Sequence, residues 1–475
     1  MTTHTWTLIL ASEWAIRLVM LFYVPHRRSA AAARSWLLLI LLEPYVGLVL
    51  YWLFGRAYLP RWRIELHQQA CRVIRTYSGE FFGRHAIHPE LPPDFRQAVT
   101  LAQNLGDFGI LGGNRLELLS DYEGSIERLI EDIRAAQHHV HLLYYIFADD
   151  RTGRRVTEAL VQAAQRGVRC RILMDGLGSR RALRSLAPEM RAAGIEVIEV
   201  LPIRFFRFRL RRARLDLRNH RKIAVFDGRV AYVGSQNLVD ADFKPGLVYK
   251  ELVARVTGPV ALQLQAVFLT DHFLETQAPD YEPAAFPEPR AAGATVAQAL
   301  PSGPGYPYAN NQRLIVSLLY AAKERVVITT PYFVPDEALL QAIQAAILRG
   351  VEVHLVVSRK ADQVLVGLAQ RFYYEELLAA GVRIYEYRPG LLHAKHISID
   401  DSLALIGSSN MDIRSFSLNA EISLIVYDRD VVGQLRGVQE QNLANSRLLT
   451  AQQWAQRSLV TRMLQNTARL FDSVL

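Results

Sequence analysis

Two copies of one residue pattern hold the side chains of this chain that are best suited to chemistry. The first copy comprises His220, Lys222, Asp227, Gly234, Ser235 and Asn237, and the second comprises His393, Lys395, Asp400, Gly407, Ser408 and Asn410. The spacings agree at every position. A single His-x-Lys is usually a solvated strand edge, but two copies with matching turns and matching ends indicate a function.

Phosphodiester exchange is the chemistry that needs this set of residues. One imidazole attacks phosphorus, a second protonates the leaving alcohol, and fixed cations hold the charge on the phosphoryl oxygens. The formal charge of +9 comes mostly from arginine, and Lys222 and Lys395 are two of only six lysines. A compact point charge beside a phosphate is a role for lysine rather than arginine.

The motif residues must be positioned by a hairpin in each copy. Between Lys and Asp each copy has two β-branched residues, Ile223 and Val225 in the first and Ile397 and Ile399 in the second. These predict a strand, and the two-residue alternation places His and Lys on one face of it. Asp-Gly at 227–228 and Asp-Asp-Ser at 400–402 are typical of turns and are followed by apolar return strands.

The duplication extends upstream of both motifs. Residues 134–200 and 320–387 each predict a strand, a helix ending near Arg-Gly-Val, a strand, a helix ending at Ala-Ala-Gly, and a strand. The sequence therefore predicts two α/β domains, at 112–276 and 300–475, joined by a Pro-rich linker at 277–299.

The N-terminal 60 residues predict a membrane anchor. Apolar runs at about 6–24 and 35–54 are long enough to be transmembrane helices. Glu43-Pro44, in the middle of the second run, leaves a kink or a re-entrant hairpin open. Residues 61–111 predict a helical connector. Basic residues lie on both sides of the second run, so the positive-inside rule does not settle the orientation.

Composition agrees with a membrane protein. Half of the residues are hydrophobic, which is high for a wholly soluble chain, and the basic charge suits either nucleic acid or an anionic membrane. Cys71 and Cys170 are too few for a disulfide framework or a cysteine-based metal site.

Several further stretches carry a resemblance to a known family. They are LPSGPG (300–305), TTPYFVPD (329–336), LLAAGV (377–382), GLLHAK (390–395) and NMDIRSFSLNAEI (410–422). The paired motif is similar to that of the phospholipase D superfamily, and nearly the whole chain resembles the bacterial cardiolipin synthases with two membrane segments. One small departure is Gln236-Asn237-Leu238, where relatives often carry Met.

The resemblance implies two similar phospholipase D-type α/β domains fused pseudo-symmetrically, with one active site at their interface and no metal or other cofactor. The implied reaction transfers a phosphatidyl group between two phosphatidylglycerol molecules, through a phosphatidyl-histidine, to give cardiolipin and glycerol. The implied partners are phosphatidylglycerol and anionic lipids rather than nucleic acid. The implied location is the bacterial inner membrane, as a multi-pass protein.

Roles for the motif residues follow by analogy with the superfamily. His220 is favoured as the nucleophile and His393 as the acid and base, although the near symmetry leaves this assignment reversible. Lys222 and Lys395, assisted by Asn237 and Asn410, would hold the non-bridging oxygens.

Other residues are expected to support this set. Asp227 and Asp400 belong to the motif's catalytic set, but a turn and framework role is favoured over proton transfer. Glu251 and Glu421 are expected behind the imidazoles, where they would fix the tautomers, with ordinary surface glutamates as the alternative. Ser235 and Ser408 are expected to line the phosphate pocket, although a tight turn also favours serine.

Alternative functions use the same paired motifs. A hydrolytic phospholipase D, a phosphatidylserine synthase and a superfamily nuclease would each carry them, although the membrane segments count against the nuclease. A non-catalytic membrane scaffold is disfavoured, because degenerate copies usually lose a His or a Lys.

Two segments predict contact with lipid. The first copy has an extra stretch ahead of its His, RFFRFRLRRARLDL (204–217), which we interpret as a membrane-docking lip with a solvated basic loop as the alternative. Its arginines are Arg204, Arg207, Arg209, Arg211, Arg212 and Arg214. At the C-terminus an apolar helical stripe that begins at Leu459 predicts either an interfacial helix or a helix packed on the second domain.

Overall fold

The computed structural model describes residues 3–27, 30–55, 59–83, 85–88, 91–202, 217–278, 283–470 and 472. The chain divides into two compact units. Among the described residues, the first unit includes the N-terminal part up to Arg61, and the second includes Trp62–Pro202 and Arg218 onward.

The N-terminal unit contains helices α1 (Thr3–Tyr23), α2 (Ala30–Leu42) and α3 (Pro44–Leu50), followed by a π-helical turn at Tyr51–Gly55. Over His4–Tyr23, α1 is the one helix in the described part of the chain that is long and apolar enough to cross a bilayer. Within α1, Glu13 and Arg17 form an ion pair of 3.1 Å, so the two charges in this apolar helix neutralise each other.

The second predicted transmembrane segment, 35–54, is not one straight helix, and its crossing of the bilayer stays a prediction. The chain bends at Glu43-Pro44, because proline lacks an N–H and its ring clashes with the preceding turn of a helix. A Cβ added to Gly47 would lie 2.7 Å from the Ile40 Cα, whereas residues seven apart in a straight helix are about 10 Å apart. Of the two interpretations of this segment, the structure adopts the bent one.

Helix α4 (Arg61–Phe82), which lies in the second unit from Trp62 onward, and α5 (Pro93–Gly106) precede the first α/β half. The elements of that half are β1 (Leu111–Leu119), α6 (Tyr122–Ala135), β2 (His139–Tyr144), α7 (Arg151–Gln165), β3 (Arg169–Asp175), α8 (Arg180–Ser185), α9 (Ala187–Ala192), β4 (Glu196–Val200), β5 (Lys222–Phe226), β6 (Val230–Gly234), β7 (Tyr249–Lys250), β8 (Val253–Thr257) and α10 (Val260–Thr276).

The second half starts with β9 (Thr295–Ser302), which begins inside the stretch predicted as a linker. The remaining elements are α11 (Asn310–Ala321), β10 (Arg325–Thr329), β11 (Phe333–Val334), α12 (Glu337–Leu348), β12 (Glu352–Ser358), α13 (Val364–Phe372), α14 (Tyr374–Ala380), β13 (Arg383–Tyr387), β14 (Leu391–Leu392), β15 (His396–Ile399), β16 (Leu403–Gly407), β17 (Met411–Asp412), α15 (Ile413–Ser417), β18 (Glu421–Val426), α16 (Arg429–Ala444), β19 (Ser446–Leu449), α17 (Ala451–Ala455) and α18 (Leu459–Arg469).

Both halves contribute to one 15-stranded sheet in the order β19-β13-β12-β10-β15-β16-β18-β9-β1-β8-β6-β5-β2-β3-β4. Helical crossovers make β2, β3 and β4 parallel, as they do β10, β12 and β13. The motif hairpins β5–β6 and β15–β16 are antiparallel, because short turns join their strands. The predicted duplication of an α/β unit is confirmed, and β1 beside β9 joins the halves at the middle of the sheet.

Candidate functional site

The two motif histidines lie where a segment of each half pairs with the other. The His220 N–H donates to the Ala420 carbonyl at 2.9 Å, and the Ala420 N–H donates to the Arg218 carbonyl at 2.9 Å. In the same way, the His393 N–H donates to the Lys250 carbonyl at 2.8 Å. The residue that follows each acceptor is a glutamate, so this pairing brings Glu421 to His220 and Glu251 to His393.

The glutamates are therefore exchanged between the halves. His220 Nδ1 lies 2.9 Å from Glu421 Oε1, and His393 Nδ1 lies 2.6 Å from Glu251 Oε1. An ionised carboxylate can only accept, so Glu251 fixes the proton of neutral His393 on Nδ1 and leaves the lone pair of Nε2 for chemistry. Glu421 imposes the same tautomer on His220 when it is ionised. The sequence predicted both glutamates behind the imidazoles but did not indicate that each would serve the histidine of the opposite half.

The two His–Glu pairs differ in electrostatics. Burial, with the charges of Lys222 and Lys395, lowers the pKa of His220 well below 6.5. Burial also lowers the pKa of His393, but Glu251 opposes the shift. Burial raises the pKa of Glu421 above its usual range, whereas for Glu251 the neighbouring His393 and Lys395 outweigh burial and lower it. An ionised carboxylate therefore supports a proton on His393, and His220 is held neutral.

Two buried lysines supply the positive charge of the site. Lys222 Nζ donates to the His220 carbonyl and Lys395 Nζ to the His393 carbonyl, both at 2.6 Å. Burial lowers the pKa of Lys222 to about 7 and that of Lys395 to about 8. A phosphate anion between the two lysines would raise their pKa values again and keep both charged, so the pair is suited to bind a phosphate.

The predicted serines and asparagines occupy supporting positions. Ser408 Oγ donates to Glu421 Oε2 at 2.5 Å, and a hydrogen bond from Ser235 lowers the pKa of Glu251. The serines therefore hold the exchanged carboxylates, and their expected place in the phosphate pocket stays a prediction. Asn237 Oδ1 accepts from the Ile146 N–H at 3.2 Å, and Asn410 is buried at the end of the second motif.

Asp227 and Asp400, which the motif groups with the catalytic set, lie at the hairpin ends, in agreement with the favoured turn and framework role. Each follows the motif Lys by five positions, or about 16 Å of extended chain. The Asp227 carboxylate accepts backbone N–H groups of residues 137–139 at 2.8–2.9 Å. The Asp400 carboxylate accepts those of residues 323–325 at 2.9–3.1 Å. Both aspartates are framework residues that fasten a hairpin to the start of the neighbouring strand.

Several residues around the histidines carried no motif signal. Arg221 joins the halves, since it pairs with Asp271 at 2.6 Å and donates to the carbonyls of Ser302 and Glu421. The Tyr145 ring lies edge-on to His220, with 5.0 Å between centroids. Lys244 bonds Asp362 near the site. Lysine is scarce in this chain, and this scarcity was the sequence signal that could have indicated Lys244. The six docking arginines fall in 203–216, outside the described residues.

The continuous two-half sheet, with paired His and Lys residues at the junction, defines a phospholipase D-like protein. A solved structure of phosphatidylserine synthase from Haemophilus influenzae has this fold, with a TM-score of 0.60 and 16% identity over 80% of this chain and all of that one.

Closer relatives narrow the class. The family described as cardiolipin synthase, PLD-like domain, matches residues 129–271 and 315–442. Cardiolipin synthase A of Pectobacterium atrosepticum is 38% identical over 100% of this chain and 99% of its own length. The corresponding protein of Klebsiella pneumoniae is 37% identical over the same shares. The chain belongs to the cardiolipin synthase family.

Proposed function

We propose that this enzyme makes cardiolipin from two phosphatidylglycerol molecules and releases glycerol. The observation that carries the proposal is the pair of crossed His–Glu contacts with a buried lysine beside each. Both histidines, both glutamates and both lysines are present. The site therefore retains a nucleophile, a group that acts as acid and base, and positive charge for the phosphoryl oxygens.

In the first step His220 Nε2 attacks phosphorus of the donor lipid, and the bond from phosphorus to the glycerol oxygen breaks. His393 gives its proton to that oxygen, so that glycerol leaves neutral. Lys222 and Lys395 hold the non-bridging oxygens. The assignment of His220 as nucleophile is supported by its lowered pKa, since only a neutral imidazole has the lone pair to attack.

In the second step the headgroup hydroxyl of another phosphatidylglycerol attacks the phosphatidyl-histidine. His393, now neutral, takes the hydroxyl proton while the phosphorus–nitrogen bond breaks and frees His220. Water attacking instead would give phosphatidic acid. The balance between lipid hydroxyl and water therefore decides whether the protein acts as a synthase or as a hydrolase.

Membrane anchoring is part of the proposal. Helix α1 would span the bilayer, and the bent α2–α3 segment would enter it or cross it with a kink, giving a multi-pass protein of the bacterial inner membrane. This is supported by the exposed apolar surface of α1 and of α2–α3. Alkaline extraction of membranes tests it, since a peripheral protein would be released and an integral one retained.

The test of the reaction uses purified full-length enzyme and phosphatidylglycerol as the sole lipid. Cardiolipin and glycerol in equal amounts are expected, and phosphatidic acid without cardiolipin would contradict the proposal.

His220→Ala and His393→Ala should each abolish turnover. An acid or base contributes about 10²–10⁴-fold to a rate. The variant that lacks the nucleophile should lose more than this, because no covalent intermediate can form without the nucleophile. Mass spectrometry of the lipid products measures it, and trapping of a phosphatidyl-enzyme with His393→Ala but not with His220→Ala would identify the nucleophile. Substantial activity in both variants would rule out a shared site.

A further inference from the structure

A cluster of polar side chains lies beside His393 and has no role in the mechanism above. This headgroup cluster consists of Lys244, Tyr249, Tyr332 and Asp362. Asp362 Oδ2 accepts from Lys244 Nζ at 2.6 Å and from the Tyr249 hydroxyl at 3.1 Å, and Asp362 Oδ1 accepts from the Tyr332 hydroxyl at 2.5 Å. Burial raises the pKa of Asp362, but hydrogen bonds from Lys244 and Tyr332 outweigh it, so the carboxylate stays ionised.

The headgroup cluster extends from His393 towards solvent. The rings of Tyr249 and Tyr332 lie edge-on to the imidazole, with centroids 5.4 and 6.4 Å away. The Asp362 side chain is only 6% exposed, whereas that of Lys244 is 38% exposed. Both halves contribute residues to the cluster. Tyr249 lies two positions before Glu251, in the segment that pairs with His393. A molecule reaching His393 past Lys244 would therefore meet this cluster.

The surroundings of His220 are different. Its ring neighbour is Tyr145, and Lys222 Nζ lies 5.6 Å from the centroid of that ring. The carboxylate nearest this imidazole is Glu421, which is already bonded to it. A second buried carboxylate on this side, Asp175, accepts from Arg218 at 3.4 Å and from the Asn219 N–H at 3.2 Å. The two half-sites thus differ in what holds the buried aspartate: arginine and backbone N–H groups near His220, but a lysine and two tyrosine hydroxyls near His393, the histidine that handles the alcohol proton.

The headgroup cluster has hydrogen-bonding capacity to spare. Three donors occupy Asp362, and a carboxylate offers about four lone-pair positions. Lys244 gives one of its three N–H groups to Asp362, and the Tyr332 hydroxyl, which accepts from Gln363 Nε2 at 3.2 Å, belongs to the same network. Acceptors and donors side by side suit a vicinal diol, whose hydroxyls each donate one hydrogen bond and accept others.

We propose that the headgroup cluster is the subsite for the glycerol headgroup of phosphatidylglycerol. The proposal rests on the proposed function. His393 protonates the departing glycerol and later deprotonates the hydroxyl of the incoming lipid, so both alcohols must occupy the same place in turn. Since both are glycerol groups, a single diol subsite serves the two steps. By holding the acceptor against His393, it also favours the lipid hydroxyl over water.

The test measures a choice between acceptors rather than a rate. Full-length enzyme in detergent receives phosphatidylglycerol with equal concentrations of isotope-labelled glycerol and 1-propanol. Mass spectrometry then compares labelled phosphatidylglycerol with phosphatidylpropanol. Asp362→Asn and Tyr332→Phe should each lower the preference for glycerol about fivefold, the factor associated with one net hydrogen bond. Both should also raise the share of phosphatidic acid among the products.

A matched control is available in the first half. Tyr232 donates to Asp132, which also pairs with Arg255, so Tyr232→Phe removes a buried phenol–carboxylate contact of the same chemistry. The Tyr232→Phe variant should keep the wild-type preference for glycerol over 1-propanol, whatever its total activity. If the headgroup variants lose activity while keeping the wild-type preference, the cluster is structural and the subsite is wrong. A wild type that makes no cardiolipin would contradict the proposed function instead.

Discussion

At the residue scale, the exchanged glutamates control the protonation of the two histidines. Glu251 is ionised beside His393, whereas burial raises the pKa of Glu421 beside His220. A sequence motif shows neither effect, because both arise from burial and from charges of the opposite half. The sequence did predict that these His, Lys and Glu residues share one site, but not which glutamate bonds which histidine. It favoured a framework role for the aspartates, but it did not reveal which groups the serines and aspartates bond, because spacing does not reveal hydrogen-bond partners.

Glu251→Gln should lower kcat by about 10²–10⁴-fold, because an amide can neither stabilise an imidazolium nor fix the tautomer of His393. Glu251→Asp should recover part of the loss. A positioning role would also move the pH dependence of the remaining activity, which a purely structural defect would not. Steady-state kinetics across pH on phosphatidylglycerol measure both effects, and an unchanged profile with Gln would argue against this role.

The pH dependence of kcat/KM should be bell-shaped. On the acid side His220 gains a proton and loses its nucleophilic lone pair, and since its pKa lies well below 6.5, this limb lies below pH 6.5. On the alkaline side His393, whose pKa burial lowers, loses the proton that it must donate to glycerol. Lys222 and Lys395 also lose their charges near pH 7 and 8, which weakens the hold on the phosphate as pH rises. The limbs belong to the coupled set of groups. A profile still rising at pH 9 would contradict this assignment.

Chelators should leave activity unchanged, because the two buried lysines supply the positive charge that phosphoryl transfer needs. The measurement is cardiolipin formation before and after dialysis against EDTA. Activity lost in EDTA and restored by a divalent ion would show that the lysines are insufficient.

At the scale of elements, α18 presents its apolar stripe on the side opposite to its packed face. Gln465 and Ala468 are buried, and Ala468 belongs to the second half's core. The exposed stripe contains Leu459, Val460, Met463, Leu464 and Leu470, each 52–78% exposed. The sequence offered an interfacial helix or a packed helix as alternatives. The helix is packed, and its stripe remains available to lipid, a combination that periodicity alone does not predict.

Changing Leu459, Met463 and Leu464 together to Gln should raise the apparent KM on anionic vesicles several-fold, because buried apolar area drives interfacial binding. Turnover of short-chain phosphatidylglycerol in detergent and the Tm should stay near wild type, since these side chains leave no cavity. Trp454→Ala, which removes a buried ring, is the control that should lower the Tm. Equal losses on both substrates would mean that the stripe does not contact lipid.

At the scale of the whole molecule, the two halves are one catalytic unit. Their strands form a single sheet, and Arg221 and the exchanged glutamates fix each motif to the opposite half. Hydrophobic periodicity predicted the strands and the duplication, because both are local properties. Proline likewise indicated the possible bend at Glu43-Pro44, because its effect on a helix is local. The order in which the strands of the two halves meet depends on contacts between distant residues and could not be predicted from periodicity.

The exchange of glutamates also affects the time at which the enzyme becomes active in a cell. Glu421 follows His220 by 201 residues, which a ribosome takes about 10–40 s to add. During that interval the first motif is complete in sequence but lacks its carboxylate, and a chain ending before Glu421 should neither cleave nor transfer lipid. A growing polypeptide that inserts into the membrane before Glu421 is made would therefore not attack the lipids around it.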